Sequence, residues 1–248
     1  MPALEKIKLE HGSATVVLEV LSIHASFIKQ LSISFTIDLT DALSAIELHA
    51  AFIQHCVESG NSEAALAVFY AFCHTFNTAT RDIHVIINAQ GLEEDAARRV
   101  LKGYFSAWPL VNSNSNPSFV WPVAPSPTLF SSESAGLMAM FGGQRGTTSY
   151  LDEAEWLLDV YRPLLLDFVT CMSEFLHHES KDKRVASMYS KGLDMLHWLT
   201  TVDAMPNDRY LLSIPVCMPL VALIQLMHVM VLYKTLGVSP GDLVKRFK

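Results

Sequence analysis

Residues 214–233 read IPVCMPLVALIQLMHVMVLY, twenty residues whose only strongly polar members are Gln225 and His228. A stretch of this length is long enough to cross a bilayer. Pro215 and Pro219, however, are expected to confine the helix to about residues 220–236, which is short for a span and ordinary for a core helix. Gln225 and His228 would also be costly in lipid. The stretch therefore favours a buried helix of a soluble domain over a membrane span.

The composition of the whole chain is unusually apolar. Of its 248 residues, 50% are hydrophobic and 17% are charged, and the formal net charge is −7. Such a chain can offset its ordering entropy by burial, which excludes disorder. The negative charge argues against nucleic-acid binding, and the basic clusters at residues 181–184 and 245–248 are expected to be solvated. The apolar excess indicates either a surface covered by something else or a membrane segment.

The N-terminus and the cysteines indicate a cytoplasmic protein. Residues 1–9 contain Glu5, Lys6 and Lys8 and lack the apolar region of a secretory signal. The four cysteines form no C-x-x-C pair, and each lies in an apolar stretch. They are predicted to be reduced and buried. They are Cys56, Cys73, Cys171 and Cys217.

Residues 1–108 are predicted to form a mainly helical region that begins with a short β-hairpin. Residues 7–9 and 15–21 are expected to pair around the turn at His11-Gly12-Ser13. Apolar residues then recur at three- and four-residue spacings, which is typical of amphipathic helices. The predicted helices cover about residues 42–57, 63–76 and 92–105, and Asn61 is a candidate N-cap for the second.

Residues 109–135, rich in proline and serine, are predicted to be a linker. In residues 136–248 we expect a buried strand at 136–141, a glycine-rich turn at 142–146 and a helix whose capping box pairs Ser149 with Asp152. Pro163 should kink that helix. A further helix over residues 185–199 and an extended segment over 210–215 should follow. The fold class is α/β but mostly helical.

The glycine-rich turn could point backbone N–H groups at a phosphate or an oxyanion. Its spacing fits neither a Walker loop nor G-x-G-x-x-G, so a purely structural turn stays open. Other candidates are weak. His55-Cys56 and Cys73-His74 are neighbours in sequence and would point apart on a helix. The run of residues 177–179, His-His-Glu, lacks a second metal-ligating cluster, and His228 is expected to be a hydrogen-bonded core histidine.

The segments that carry a family resemblance are FGGQ at 141–144, YLLSIP at 210–215, PL at 219–220, IQLMH at 224–228 and LGVSPGDL at 236–243. Together they resemble the N-terminal acetyltransferase (starter acyltransferase) region of the beta subunit of fungal type I fatty acid synthase. The match is strong over about residues 128–244 and weak but collinear before them.

The resemblance implies a mechanism. In that family a serine in a Gly-His-Ser-x-Gly elbow, activated by a distant histidine, takes an acetyl group from acetyl-CoA. It passes the group to the phosphopantetheine of the acyl carrier protein. By this resemblance Gln144 would donate its backbone N–H to the oxyanion, and Gly142 and Gly143 would shape the turn. The charge of Arg145, the fourth candidate substrate-binding residue, could either assist an acyl-CoA or disturb the loop. We expect this chain to bind no metal and no cofactor of its own, with acetyl-CoA as a substrate of the parent domain.

Two departures from the family pattern matter. The sequence contains no Gly-His-Ser-x-Gly, and Arg145 stands where the family usually has glycine. Catalytic residues are therefore expected outside this chain, with residues 136–248 forming the first portion of an α/β hydrolase-like acyltransferase domain that is incomplete at its C-terminus. The expected partners are the rest of the beta subunit, the alpha subunit and its acyl carrier protein, with no nucleic acid and no membrane.

Three hypotheses remain. The chain is an N-terminal piece of a fatty acid synthase beta subunit, inactive alone. Alternatively, it is a non-catalytic scaffold derived from that subunit, which Arg145 mildly favours. A third option is the starter acyltransferase region of a secondary-metabolite synthase, since the residues present do not separate acetyl from longer starter groups.

Overall fold

The computed structural model describes residues 3–37, 43–76, 82–113, 149–201 and 203–246. The chain divides into two compact units, residues 1–131 and 132–248. The first unit contains a two-stranded sheet and helices, and the described residues of the second are helical with no strand. The sequence-based expectation of a mostly helical protein with an N-terminal hairpin is therefore confirmed.

The first unit opens with the hairpin of β1 (Leu4–His11) and β2 (Ala14–Leu21). The strands pair antiparallel, with His11 opposite Ala14 and Leu4 opposite Leu21. Gly12 has φ +57°, which two-residue hairpin turns require and glycine adopts without strain. Residues along β2 alternate between buried and exposed, so one face of the sheet packs inward and the other meets solvent.

Six helices follow in this unit. They are α1 (Ser22–Ser34), α2 (Ala45–Glu58), α3 (Ser62–Thr75), α4 (Ile83–Gln90), α5 (Glu94–Ser106) and α6 (Trp108–Ser113). The three helices predicted from periodicity are confirmed with shifts of up to three residues at their ends. The Asn61 N-cap is also confirmed, because its side chain accepts a hydrogen bond from the Ala64 amide at 2.8 Å.

The core of this unit is aromatic and close-packed. Phe52, Phe69, Phe72 and Phe105 are fully buried. Helices α2 and α5 cross closely at Gly103, where an added Cβ would lie 2.2 Å from the Ala50 carbonyl oxygen. Only a residue without a side chain allows this approach.

The described part of the second unit contains a long helix and several shorter ones. They are α7 (Ser149–Glu179), a 3₁₀ turn (Ala186–Met188), α8 (Met195–Thr200), α9 (Asp208–Leu211), α10 (Ile214–Leu236) and α11 (Pro240–Arg246). The predicted kink near Pro163 is confirmed, since Tyr161 leaves helical geometry with φ −111° and ψ 24°. Pro163 provides no amide for the helical ladder, which explains the break.

Two predictions for this unit were wrong. The single helix over residues 185–199 is instead a 3₁₀ turn and the separate helix α8, because Gly192 adopts φ +72° and Asp194 caps a new start. The extended segment over 210–215 is instead helical at both ends. Asn207 caps α9 there, and Ser213 precedes α10.

Helix α10 begins earlier than its prolines predicted. Pro215 lies in the first turn, where a backbone N–H makes no hydrogen bond within the helix, so its absence costs nothing there. Pro219 lies further along and removes one hydrogen bond of the helix. Val216, Cys217 and Leu220 are fully buried, and this burial offsets that loss. By length and composition α10 passes the test for a membrane span, a test that core helices of soluble proteins also pass. In the most apolar 18-residue stretch of α10, 39% of the residues are buried.

Four further predictions are tested only in part or not at all. Residues 109–113 of the predicted linker are helical, and residues 114–135 lie outside the described residues, as does the expected strand at 136–141. The side chain of Ser149, half of the predicted capping box, also lies outside them. Cys56, Cys73 and Cys217 are buried free thiols as predicted, but Cys171 is exposed, because it lies on the solvent side of α7.

Candidate functional site

The residues predicted to bind substrate, Gly142, Gly143, Gln144 and Arg145, lie outside the described residues. The described chain resumes at Ser149, the first residue of α7. The contacts that hold this end of α7 are therefore the part of the candidate site that the structure describes.

Tyr150 connects the start of α7 to the last residue of α9. Its buried hydroxyl donates a hydrogen bond of 3.0 Å to the carbonyl oxygen of Leu211. Burial, together with the nearby Cys217, raises the pKa of Tyr150 to about 12. The hydroxyl is therefore a neutral donor at physiological pH, and it fixes the first turn of α7.

One turn further, Glu153 meets His228 of α10. The carboxylate Oε1 lies 2.7 Å from the imidazole Nε2. Both side chains are partly exposed, so the prediction of a hydrogen-bonded histidine is confirmed, whereas its placement in the core was wrong. The reason is that α10 buries a single face, and His228 lies beside that face.

The Glu153–His228 pair could move a proton, but the buried thiol of the same helix, Cys217, is too distant to serve as its nucleophile. Cys217 lies eleven residues earlier on the same helix, roughly 16 Å along the helix axis. It is buried against the carbonyl of Ile214. The arrangement holds α7 against α10 and leaves the chemistry to groups elsewhere.

The segment containing Tyr210 has a structural role in the described geometry. The Tyr210 hydroxyl donates to the carbonyl of Gly192 at 2.5 Å, and its ring meets Trp198 edge to face. Burial raises the pKa of Tyr210. This motif, singled out for its resemblance, ties α9 to the loop before α8.

Helix geometry separates the histidine–cysteine neighbours of the first unit, as predicted. Cys56 is fully buried, and burial raises its thiol pKa to about 12, so it is no nucleophile at neutral pH. His55 instead lies 3.4 Å from the Ser34 hydroxyl. That hydroxyl donates to the Leu31 carbonyl, which leaves no proton for His55 to accept.

In the part of the chain that the structure describes, no three His, Cys, Asp or Glu side chains gather as a metal site. His177 and His178 belong to the last turn of α7. At this end of a helix the dipole favours basic side chains.

Sequence reasoning missed one feature of the first unit, a groove of about 630 Å³ beside β2 and α3. Its polar rim includes His24 and Glu63, which come from different elements, and their atoms approach to 4.0 Å. The alternating pattern of β2 signals an exposed strand face, but the position of α3 beside it has no local signal in the sequence.

Comparisons with known proteins give a consistent group of relatives. No family model matches the chain. It is 33% identical to the fatty acid synthase subunit beta of Schizosaccharomyces pombe over 169 residues, which is 68% of this chain. It is 38% identical to the fatty acid synthase subunit beta of Saccharomyces cerevisiae over 110 residues, which is 44% of this chain. It is 25% identical to that of Aspergillus oryzae over 99% of this chain.

These matches cover little of the relatives themselves. The chain spans 8% of the length of the S. pombe protein, 5% of the S. cerevisiae protein and 12% of the A. oryzae protein. The similarity nevertheless extends through both units of this chain in the A. oryzae alignment. The homologues of this chain are therefore beta subunits of fungal fatty acid synthases, of which it corresponds to a small part.

Proposed function

We propose that this chain is the N-terminal part of a fungal fatty acid synthase beta subunit and that residues 136–248 form the first portion of its acyltransferase domain. The parent domain, of α/β hydrolase-like fold, transfers an acetyl group from CoA to the acyl carrier protein. The single observation that supports this most is the 33% identity to a beta subunit over 68% of the chain.

The role proposed for this chain is to provide half of an oxyanion hole. The backbone N–H of Gln144 would donate to the oxyanion of the tetrahedral intermediate, with Gly142 and Gly143 shaping the turn. Arg145 would place a positive charge near the acyl-CoA. Gln144 precedes α7 by only five residues, and Tyr150 and Glu153 anchor that helix. A donor tethered this closely to a fixed helix supports preorganisation.

The nucleophilic serine, the catalytic histidine, the alpha subunit and the phosphopantetheine carrier would come from outside this sequence. A first experiment incubates the 248-residue chain with radiolabelled acetyl-CoA. We expect no covalent acyl-protein, because the sequence contains no Gly-His-Ser-x-Gly. Stoichiometric labelling would overturn the assignment of the nucleophile to another part of the subunit.

A second experiment tests the oxyanion role within a complete enzyme. This chain replaces the matching segment of the S. pombe beta subunit, and acetyl loading is measured. Gln144→Pro removes the backbone N–H and should lower loading by about 10²–10³-fold. Gln144→Ala keeps that N–H and should retain most activity.

Size-exclusion chromatography of each chimera separates failed assembly from lost chemistry. If the assembled chimera loads acetyl groups equally with proline or alanine at residue 144, the oxyanion role is wrong. If the assembled chimera loads none with glutamine at residue 144, the assignment of residues 136–248 to the acyltransferase domain is wrong.

A further inference from the structure

The groove of the first unit runs along the boundary between the hairpin and α3. A second hollow of about 350 Å³ shares Glu19, Ala71 and His74 with it, so the two form one continuous depression, here named the β2–α3 groove. It extends from Glu63 at the start of α3 to Thr75 at its end. Thirteen helical residues span roughly 20 Å, the length of about six extended residues.

One wall of the β2–α3 groove is a strand with an open edge. Among the described residues β2 pairs only with β1. The Ser22 amide donates to the Ala3 carbonyl at 2.9 Å, which fixes the phase of the antiparallel ladder. Because hydrogen-bonded and non-hydrogen-bonded pairs alternate, the backbone N–H and C=O groups of Val17, Glu19 and Leu21 point away from β1. They are available to a further strand.

The groove offers an apolar floor to the side chains of such a strand. Leu66, Ala67 and Tyr70 of α3 line it opposite Val20 and Leu21 of the hairpin. Every second side chain of an added strand would point to this floor, and the others would point to solvent. The exposed Val17 and Leu4 extend the apolar surface along the sheet.

The rim of the β2–α3 groove is acidic. The Glu63 side chain is 84% exposed, and that of Glu19 is 47% exposed. Neither a lysine nor an arginine lines the larger hollow, where the Glu63 carboxylate lies 4.0 Å from the His24 imidazole. In the smaller hollow Lys6 lies 3.1 Å from Glu19 and offsets its charge, so the uncompensated negative charge of the rim is that of Glu63. The rim therefore favours a ligand that carries positive charge.

We propose that the β2–α3 groove binds an extended peptide segment of another protein chain as a third strand, through alternating apolar and basic side chains. Main-chain hydrogen bonds to Val17, Glu19 and Leu21 provide affinity, and the apolar floor and the acidic rim provide selectivity. This inference does not depend on the proposed acyltransferase role.

The test uses the full chain and a fluorescein-labelled octapeptide of sequence KVKVTVKV, followed by fluorescence anisotropy. The peptide should bind saturably. A version with N-methyl groups on the alternate amides that face β2 should bind at least about tenfold more weakly, since each lost hydrogen bond is worth about 1 kcal/mol. The acidic version EVEVTVEV should also bind at least about tenfold more weakly. Equal binding of all three peptides would overturn strand addition.

Matched variants locate the binding edge. Val17→Pro removes an outward N–H from β2, and Lys8→Pro removes the corresponding N–H from the opposite edge on β1. Only Val17→Pro should weaken binding. Glu63→Lys should weaken it as well, whereas Glu10→Lys, an equal change in charge on β1, should leave it unchanged. Circular dichroism confirms that each variant folds.

Two results would assign the groove to a different occupant and overturn the proposal. In one, Val17→Pro and Lys8→Pro affect the peptide equally. In the other, light scattering shows a dimer that Val17→Pro dissociates and that excludes the peptide, so that a second copy of this chain occupies the edge.

Discussion

The guanidinium of Arg99 on α5 lies 2.7 Å from the carboxylate Oε1 of Glu47 on α2, and the Glu47 side chain is only 6% exposed. The other carboxylate oxygen accepts hydrogen bonds from the backbone and the side chain of Ser44, which completes a capping box. One buried carboxylate thus caps the N-terminus of α2 and joins it to Arg99 of α5, 52 residues away in sequence.

Glu47→Gln should destabilise the first unit by about 1–3 kcal/mol, because it weakens charge-assisted hydrogen bonds at a buried site. Burial acts to raise the pKa of Glu47, but the hydrogen bonds from Ser44 and the charge of Arg99 outweigh it, so the pKa lies below its ordinary value. The stabilisation is therefore complete above the unfolded pKa of about 4.3 and is lost as pH falls through the lower folded value.

Urea unfolding between pH 3 and pH 7 checks this. The variant should show a flatter acid limb than the parent chain, and Glu10→Gln on the exposed face of β1 should not. An unchanged acid limb in the Glu47 variant would show that the carboxylate is not preferentially stabilised in its charged form.

Gly103→Ala should destabilise the same unit by about 1–3 kcal/mol or more, since the new methyl group meets backbone atoms of α2 that cannot move aside. Gly241→Ala is the matched control. It also lies in a helix, but its added Cβ would be 3.8 Å from the nearest atom, the Ser239 hydroxyl, so helix propensity should leave stability equal or slightly higher. Thermal unfolding of both variants compares the two sites, and equal melting temperatures would refute the close crossing.

Local signals explain which parts of this fold could be predicted. The Val-rich alternation of β2, the Asn61 cap and the ring of Pro163 act within a few residues, so the sequence alone identifies them. The extent of α10 could not be predicted this way. Burial of its first turn depends on tertiary packing, which overrides the local cost of Pro219.

The Glu153–His228 pair should contribute modestly to the stability of the second unit. Because both side chains are partly exposed, a double-mutant cycle with Glu153→Gln and His228→Gln should give a coupling energy below about 1 kcal/mol. Chemical denaturation of the four proteins measures it. A coupling above about 2 kcal/mol would show that the pair is desolvated in solution.

Thiol reactivity should separate Cys171 from the other cysteines. In the native chain one thiol should react rapidly with Ellman's reagent, and all four should react in denaturant, because three are buried. Cys171→Ser should abolish the fast phase, whereas Cys56→Ser should leave it intact. A fast phase that survives in the Cys171 variant would place another thiol at the surface.

The apolar residues that α10 exposes should promote association. Ile214, Met218 and Leu226 are all exposed, and contiguous apolar surface of this kind commonly marks an interface. Met218→Gln with Leu226→Gln should lower the apparent mass in light scattering and the binding of anilinonaphthalene sulfonate. Leu223→Gln, at a buried position, should instead destabilise the unit.

Flotation with phosphatidylcholine vesicles tests whether the exposed apolar residues of α10 bind lipid instead of protein. We expect the chain to remain in the aqueous fraction. Co-flotation that the double glutamine variant abolishes would show that α10 enters lipid rather than a protein interface.

In the candidate site, too, some residues could be predicted from local sequence, and others depend on tertiary packing. Gln144 and its glycines were predicted from a short motif, whereas the partner of His228 was not, because Glu153 lies 75 residues away. The β2–α3 groove also depends on elements far apart in sequence. Such juxtapositions follow from packing, and no single segment encodes them.

The kink in α7 makes that helix two separately anchored arms. Tyr150 and Glu153 hold the arm before Tyr161. Beyond it, Lys234 donates to the Leu164 carbonyl at 2.6 Å and Ser173 donates to Asp194 at 2.9 Å. Since the hydrogen-bonded ladder is interrupted between the arms, each can open and exchange its amide protons without the other. The arm that follows Gln144 in sequence, residues 149–160, can thus separate from α9 and α10 while the rest of the helix stays folded.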